Sequence, residues 1–242
     1  MLKFLVFSLS VGILLTLPAQ AVSKVENRSV TLLKQLVFQE DFTPPGNGTP
    51  KDTSSGGSRD GLRCSQKEQS IQPLMPKRNY GLTLSERPAI FVYIPETSAR
   101  KIVLAFRDES GEFYERAFLP IAARAGIVSF TLPDWEPPLT VGKNYQWSLV
   151  VVCGETVQPD DPVVRGWVQR VARSPQIVSE LRQKTAIEQA MWYSANGYWY
   201  DLLKVMTRAR RSHPNDAKLT ALWHYLLGTV GLGAIASEPL LQ

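Results

Sequence analysis

At 242 residues, with 44% hydrophobic and 20% charged residues, 16 Gly and 17 Pro, the chain has the apolar content for a full core and too little charge for a polyelectrolyte. The formal net charge of +5 is dispersed, and its densest run, Arg208-Ala209-Arg210-Arg211, falls at a predicted helix C-terminus, where cations answer the helix dipole. That placement argues against nucleic acid as a partner.

In chain order, residues 1–21 read as a signal peptide. Lys3 gives a positive start, Phe4 to Leu15 is an apolar run, and Ala19-Gln20-Ala21 follows Pro18 as a cleavage site. No later run is long and apolar enough to span a bilayer, so no stable membrane span is expected after cleavage. Residues 22–63 read mostly as a disordered linker. Val30, Leu33 and Val37 carry helical spacing, but Asp41 to Arg63 is dominated by Gly, Pro, Ser and Thr and cannot recover its ordering entropy by burial.

From Cys64 the pattern becomes that of strands. Ala89 to Ile94, Lys101 to Arg107, Glu112 to Leu119, Gly126 to Leu132 and Val163 to Val171 are strand-like, with Gly111 turning a hairpin. Leu139 to Cys153 is the organising stretch. Tyr145 and Trp147 stand two apart after Gly142, as where a chain rounds the corner of a β-sandwich and the Tyr hydroxyl bonds backbone just upstream. Leu149 to Val152 is continuously apolar and predicts a central strand buried on both faces. Residues 64–173 are therefore expected to form an antiparallel β-sandwich, immunoglobulin-like or fibronectin-like.

At Ser174 the period changes to 3.6. Ser174 and Pro175 open a short helix to about Lys184, and Ile187, Ala190, Met191 and Ser194 stripe a second that stops at Asn196-Gly197. Trp199, Leu202, Leu203, Met206 and Ala209 mark a third. Leu219, Leu222, Trp223, Leu226 and Leu227 mark a fourth, beyond Pro214. The whole reads as an α+β chain, its sandwich followed by a C-terminal helical hairpin bundle over residues 174–242. Ala190 to Pro214 resembles one tetratricopeptide unit, except that Leu202 stands where a small residue is usual; such units need about three copies to be stable alone.

Cys64 and Cys153 are an even pair in a chain predicted to be exported. They would close a loop of about 90 residues as a disulfide, the alternatives being two buried thiols or a catalytic thiol.

Gly57-Ser58-Arg59 with Cys64, Gly81-Leu82-Thr83, the strand Ala89 to Pro95, Leu139 to Trp147, Gly166-Trp167, Asn196 to Asp201, Pro214 and the helix Trp223 to Gly231 occur in an order that resembles a family of exported cyanobacterial proteins of unknown function, numbered nine hundred and twenty-eight. The resemblance implies a periplasmic or secreted envelope protein and implies no activity.

No residue pattern marks an enzyme, and no cofactor is expected. His213 and His224 have no carboxylate or thiol at metal-ligand spacing, and Gly231 to Ala236 follows a helix, not the strand a dinucleotide site needs. The candidate ligand-binding residues are Trp192, Asn196, Tyr198, Tyr200 and Asp201, where aromatic faces beside polar groups suit a sugar or an extended peptide. The alternative is that these residues seat the helices on the sandwich. A carboxylate pair such as Glu188 and Asp201 would serve a hydrolase. The leading expectation is a non-enzymatic adaptor for an envelope protein partner, and the second is a binder of wall glycan.

Overall fold

The computed structural model describes residues 36–45, 48–53, 63–65 and 69–241. The expected signal peptide and residues 22–35 lie outside them. The fold is mixed α+β. Among the described residues eight strands, β1 (Gln72–Pro73), β2 (Tyr80–Thr83), β3 (Ile90–Ile94), β4 (Lys101–Asp108), β5 (Phe113–Pro120), β6 (Gly126–Phe130), β7 (Asn144–Val152) and β8 (Val163–Arg170), precede four helices. The helices are α1 (Pro175–Arg182), α2 (Ala186–Ala195), α3 (Trp199–Ser212) and α4 (Ala217–Thr229), followed by a 3-10 turn at Gly233–Ile235.

The strands form a three-stranded sheet, β1-β3-β6, and a five-stranded sheet, β2-β8-β7-β4-β5. β7 is central, between β4 and β8. It is not buried on both faces: Tyr145, Trp147, Leu149 and Val151 point into the core, while Ser148 and Val150 are only half-covered. A β-branched run fits either environment, and here the outer face is covered unevenly, with Val152 buried beyond half-covered Ser148 and Val150. The Tyr145 hydroxyl takes a bond from the Thr140 N–H at 3.3 Å, the upstream backbone contact its position predicted. The expected purely antiparallel arrangement fails at one pair. β2 and β8 run parallel, with Tyr80 beside Trp167 and Thr83 beside Arg170. Five intervening strands give the chain ample length for the crossover a parallel pair requires.

The helix starts follow their caps. Ser174 accepts from the Ile177 N–H ahead of Pro175, Thr185 and Glu188 form a capping box, and Asp216 accepts from Lys218 and Leu219. Helices and sheets share one core, in which Trp147, Trp199 and Trp223 are fully buried. Residue 174 marks a change of element type, and the buried apolar cluster has members on both sides of it.

The linker expected over 22–63 is narrower at its described end. Leu36 and Phe38 are buried, Gln39 N–H donates to the Ser194 carbonyl at 3.0 Å, and Phe42 stacks on Tyr80 with centroids 5.9 Å apart. Three large apolar residues in seven supply the burial that the Gly/Pro-rich remainder lacks. Cys64 and Cys153 form the disulfide, with Cα atoms 5.5 Å apart, which settles the three readings of the pair in favour of the bridge.

Three of the four sheet edges are short or covered by the chain itself. β1 is two residues long. The outer edge of β6 is paired by the tail, with Ile127 N–H donating to the Pro239 carbonyl at 2.8 Å and Leu241 N–H to the Ile127 carbonyl at 2.9 Å. The outer edge of β2 is closed by the start of α3. β5 has β4 on one side and, among the described residues, no strand on the other.

Candidate functional site

The stretch Asn196 to Asp201 turns the chain from α2 into α3 and clamps the helices to the sheets. Gly197 makes this turn at φ 77°, in the left-handed region, with the Phe42 ring so close that an added Cβ would lie 2.6 Å from Phe42 Cδ1. Its carbonyl accepts the Leu82 N–H at 2.9 Å. One turn on, the Asp201 carboxylate accepts the Leu84 N–H at 2.9 Å and a bond from the Thr83 hydroxyl. Together these groups take up the Leu82 N–H of β2 and the Leu84 N–H just beyond it, donors that a further strand would otherwise have to meet. Between them Trp199 is fully buried, its Nε1 donating to the Leu74 carbonyl at 2.7 Å. Gly81 lies beneath it, where a Cβ would come within 2.6 Å of Trp199 Cβ. The Tyr200 hydroxyl accepts from Trp147 Nε1 at 2.7 Å and donates to the Trp167 carbonyl at 2.9 Å.

The five sequence candidates therefore divide. Tyr200 and Asp201 face inward and spend their polar atoms on β2, β7 and β8. Trp192, Asn196 and Tyr198 stay together on the other side of the turn: Trp192, half-buried, stacks on Tyr198 at 5.2 Å and 18°, and exposed Asn196 donates to the Trp192 carbonyl at 2.8 Å. Tyr193 packs edge-on to both rings, and burial, helped by the Asp201 charge, pushes its hydroxyl up to about 12. Trp223 is also structural, donating to the Ala236 carbonyl at 3.1 Å beneath the Arg210 guanidinium. Glu188 and Asp201 do not make a carboxylate pair. They begin consecutive antiparallel helices and so lie at opposite ends of the hairpin, Glu188 exposed and held below its usual range by the Thr185 N–H and hydroxyl.

Burial is the largest influence on Asp201 and raises its pKa, against the opposing bonds from Leu84 and Thr83. With the folded value above the unfolded one near 4, stability is greatest below that value and declines as pH rises through the raised one. Asp201→Asn is expected to keep an acceptor for Leu84 and flatten this decline. Asp201→Ala leaves a buried N–H unanswered and is expected to cost about 1 to 3 kcal/mol. Urea denaturation between pH 4 and 8 separates the two.

A groove of about 990 Å³ opens at the other end of the hairpin, where the start of α2, the end of α3 and the start of α4 meet. Its floor is apolar, with Ile187, Met191, Val205, Ala209 and Leu219, and its rim carries Glu188 and Asp216 beside Arg208, His213 and Lys218. Sequence reasoning did not find it. Ile187 and Met191 read there only as part of a helical stripe, because helical spacing marks an apolar face without saying what covers it.

Among the described residues no group of three His, Cys, Asp or Glu could hold a metal ion, and no helix is long and apolar enough to cross a membrane. The disulfide is compatible with an oxidising compartment. No curated protein matches the chain. The family model described as Domain of Unknown Function (DUF928) matches residues 54–240, from ahead of the first cysteine to the strand-pairing tail, and the chain belongs to that family.

Proposed function

We propose that this is an exported protein of the cyanobacterial envelope, periplasmic or secreted, that works without catalysis as an adaptor and receives a segment of another envelope protein in the helical groove. The observation that carries this reading is the groove itself: an apolar floor within a rim of both charges suits an amphipathic segment of protein better than a uniformly polar ligand. The tetratricopeptide-like reading of α2 and α3 agrees with it, since helical hairpins of that kind hold peptides in such grooves. So does an immunoglobulin-like reading of the two sheets, which would make them the scaffold; this part rests on fold-level analogy.

The second reading is a wall glycan laid on Trp192. It is favoured by the stacked, half-buried Trp192 with exposed Asn196 beside it. Tyr200 and Asp201 would support that surface from behind and touch no sugar.

The test is affinity purification of tagged protein from its native envelope after mild crosslinking, with Val205→Glu and Trp192→Ala in parallel. The adaptor reading expects one stoichiometric protein partner, lost in Val205→Glu and kept in Trp192→Ala. A charge at the centre of the contact is expected to cost 2 kcal/mol or more, about a thirtyfold loss of affinity. Wall sugar retained without a protein, and lost in Trp192→Ala, would reverse the ranking. Neither protein nor sugar retained would end both readings.

A further inference from the structure

Among the described residues β5 leaves one long sheet edge open, and Arg116 and Phe118 on its outer face say what fits there. The strand runs for eight residues, Phe113–Pro120, and is registered on β4 with Arg116 beside Ala105 and Phe118 beside Val103. Arg116 and Phe118 share the outer face of the sheet, with Phe118 57% exposed, while Ala117 between them turns toward the core. The chain answers its other edges with a helix start, a tail or extreme shortness. With no strand on its outer side among the described residues, a strand of this length, ending only at Pro120, is a template for another strand.

We propose that β5 pairs antiparallel with β5 of a second copy, about a two-fold axis through Ala117, so that two five-stranded sheets become one of ten strands. Side chains alternate between faces, so an axis normal to the sheet must pass through a self-paired residue. Centring on Glu115 or on Arg116 sets like charges opposite one another, which is destabilising. Centring on Phe118 shortens the overlap and sets Arg116 against Pro120, which has no N–H to give. Centring on Ala117 sets Arg116 of each copy against the partner's Phe118. That repeats a guanidinium over an aromatic ring on both sides of the axis and covers the exposed ring. The groove plays no part, so this dimer stands or falls apart from the adaptor reading.

Sedimentation equilibrium of the purified full chain over a dilution series tests the register. The wild type is expected to dimerise reversibly with a dissociation constant in the micromolar range, since one strand pair buries less than a standard interface. Phe118→Arg places two like-charge pairs across the axis and is expected to raise that constant about ten- to thirtyfold. Phe118→Glu faces the partner's Arg116 and is expected to stay within about threefold of wild type. Both substitutions lie on an exposed position, and unchanged urea midpoints would show the fold intact. A monomer up to ~1 mM, or a dimer that both substitutions weaken alike or neither changes, overturns the proposal.

Discussion

Replacing Trp199 with Ala is expected to lower the stability of the whole protein by about 3 to 5 kcal/mol, close to the full margin of many domains. The ring is fully buried among elements that do not touch one another in sequence. Phe38 meets it edge-on at 4.8 Å, Gly81 of β2 lies under its Cβ, and the Leu74 carbonyl takes its Nε1–H. Removing it opens a cavity bounded by backbone, which relaxes poorly, and leaves a buried carbonyl unpaired. Trp199→Phe keeps most of the apolar contact and loses only the donor, so it is expected to cost about 1 to 2 kcal/mol. Far-UV circular dichroism in urea measures both. If helices and sheets share one core, the alanine variant unfolds in one shifted transition. Two transitions, with the strands unaffected, would mean that the helical end is a separate unit.

Loss of the Cys64–Cys153 bridge ranks second. On the chain-entropy account, a link across a sequence separation of 89 residues restricts the unfolded chain enough to stabilise the fold by about 4 to 5 kcal/mol. The native side changes less. The Cys64 carbonyl keeps its bond from the Thr97 hydroxyl at 2.8 Å, and buried Asp161 keeps the Cys153 and Gln158 N–H groups and its ion pair with Arg63. The Cys64→Ala/Cys153→Ala protein is therefore expected to reach the same fold with its urea midpoint lowered by roughly 2 M. Native-like near-UV signal at zero denaturant, combined with that shift, supports the account. A variant with no cooperative transition would mean that the bridge also holds native geometry.

The long strands and all four helices were legible because each carries its own period and its own stops: Gly111 turns the hairpin, Ser174 and Pro175 open the first helix, and Asn196-Gly197 ends the second. β2 was not legible. Its four residues include Gly81 and show no alternation, since all four are buried, and its outer partner is a helix start instead of a strand. The aromatic stretch was visible as a place but not as a role. Trp192, Tyr198 and Tyr200 look alike in sequence, but Tyr200 enters the core on bonds to Trp147 and Trp167 from distant strands while Trp192 stays half-buried. The docking of residues 36–42 escaped for a similar reason. Leu36, Phe38 and Phe42 precede a run of prolines and glycines, and their burial depends on α2 and α3 lying far downstream.

The tail on β6 sets an order in time. Ile127 waits for a bond from a segment about a hundred residues further along, so a chain emerging N-terminus first holds this edge unpaired while everything between is made. β2 waits in the same way for Gly197 and Asp201. Such a polypeptide gains little by compacting early and offers bare strands to its neighbours if it tries. It is suited to being kept extended by a chaperone until its far end is free, and then to closing late and all at once.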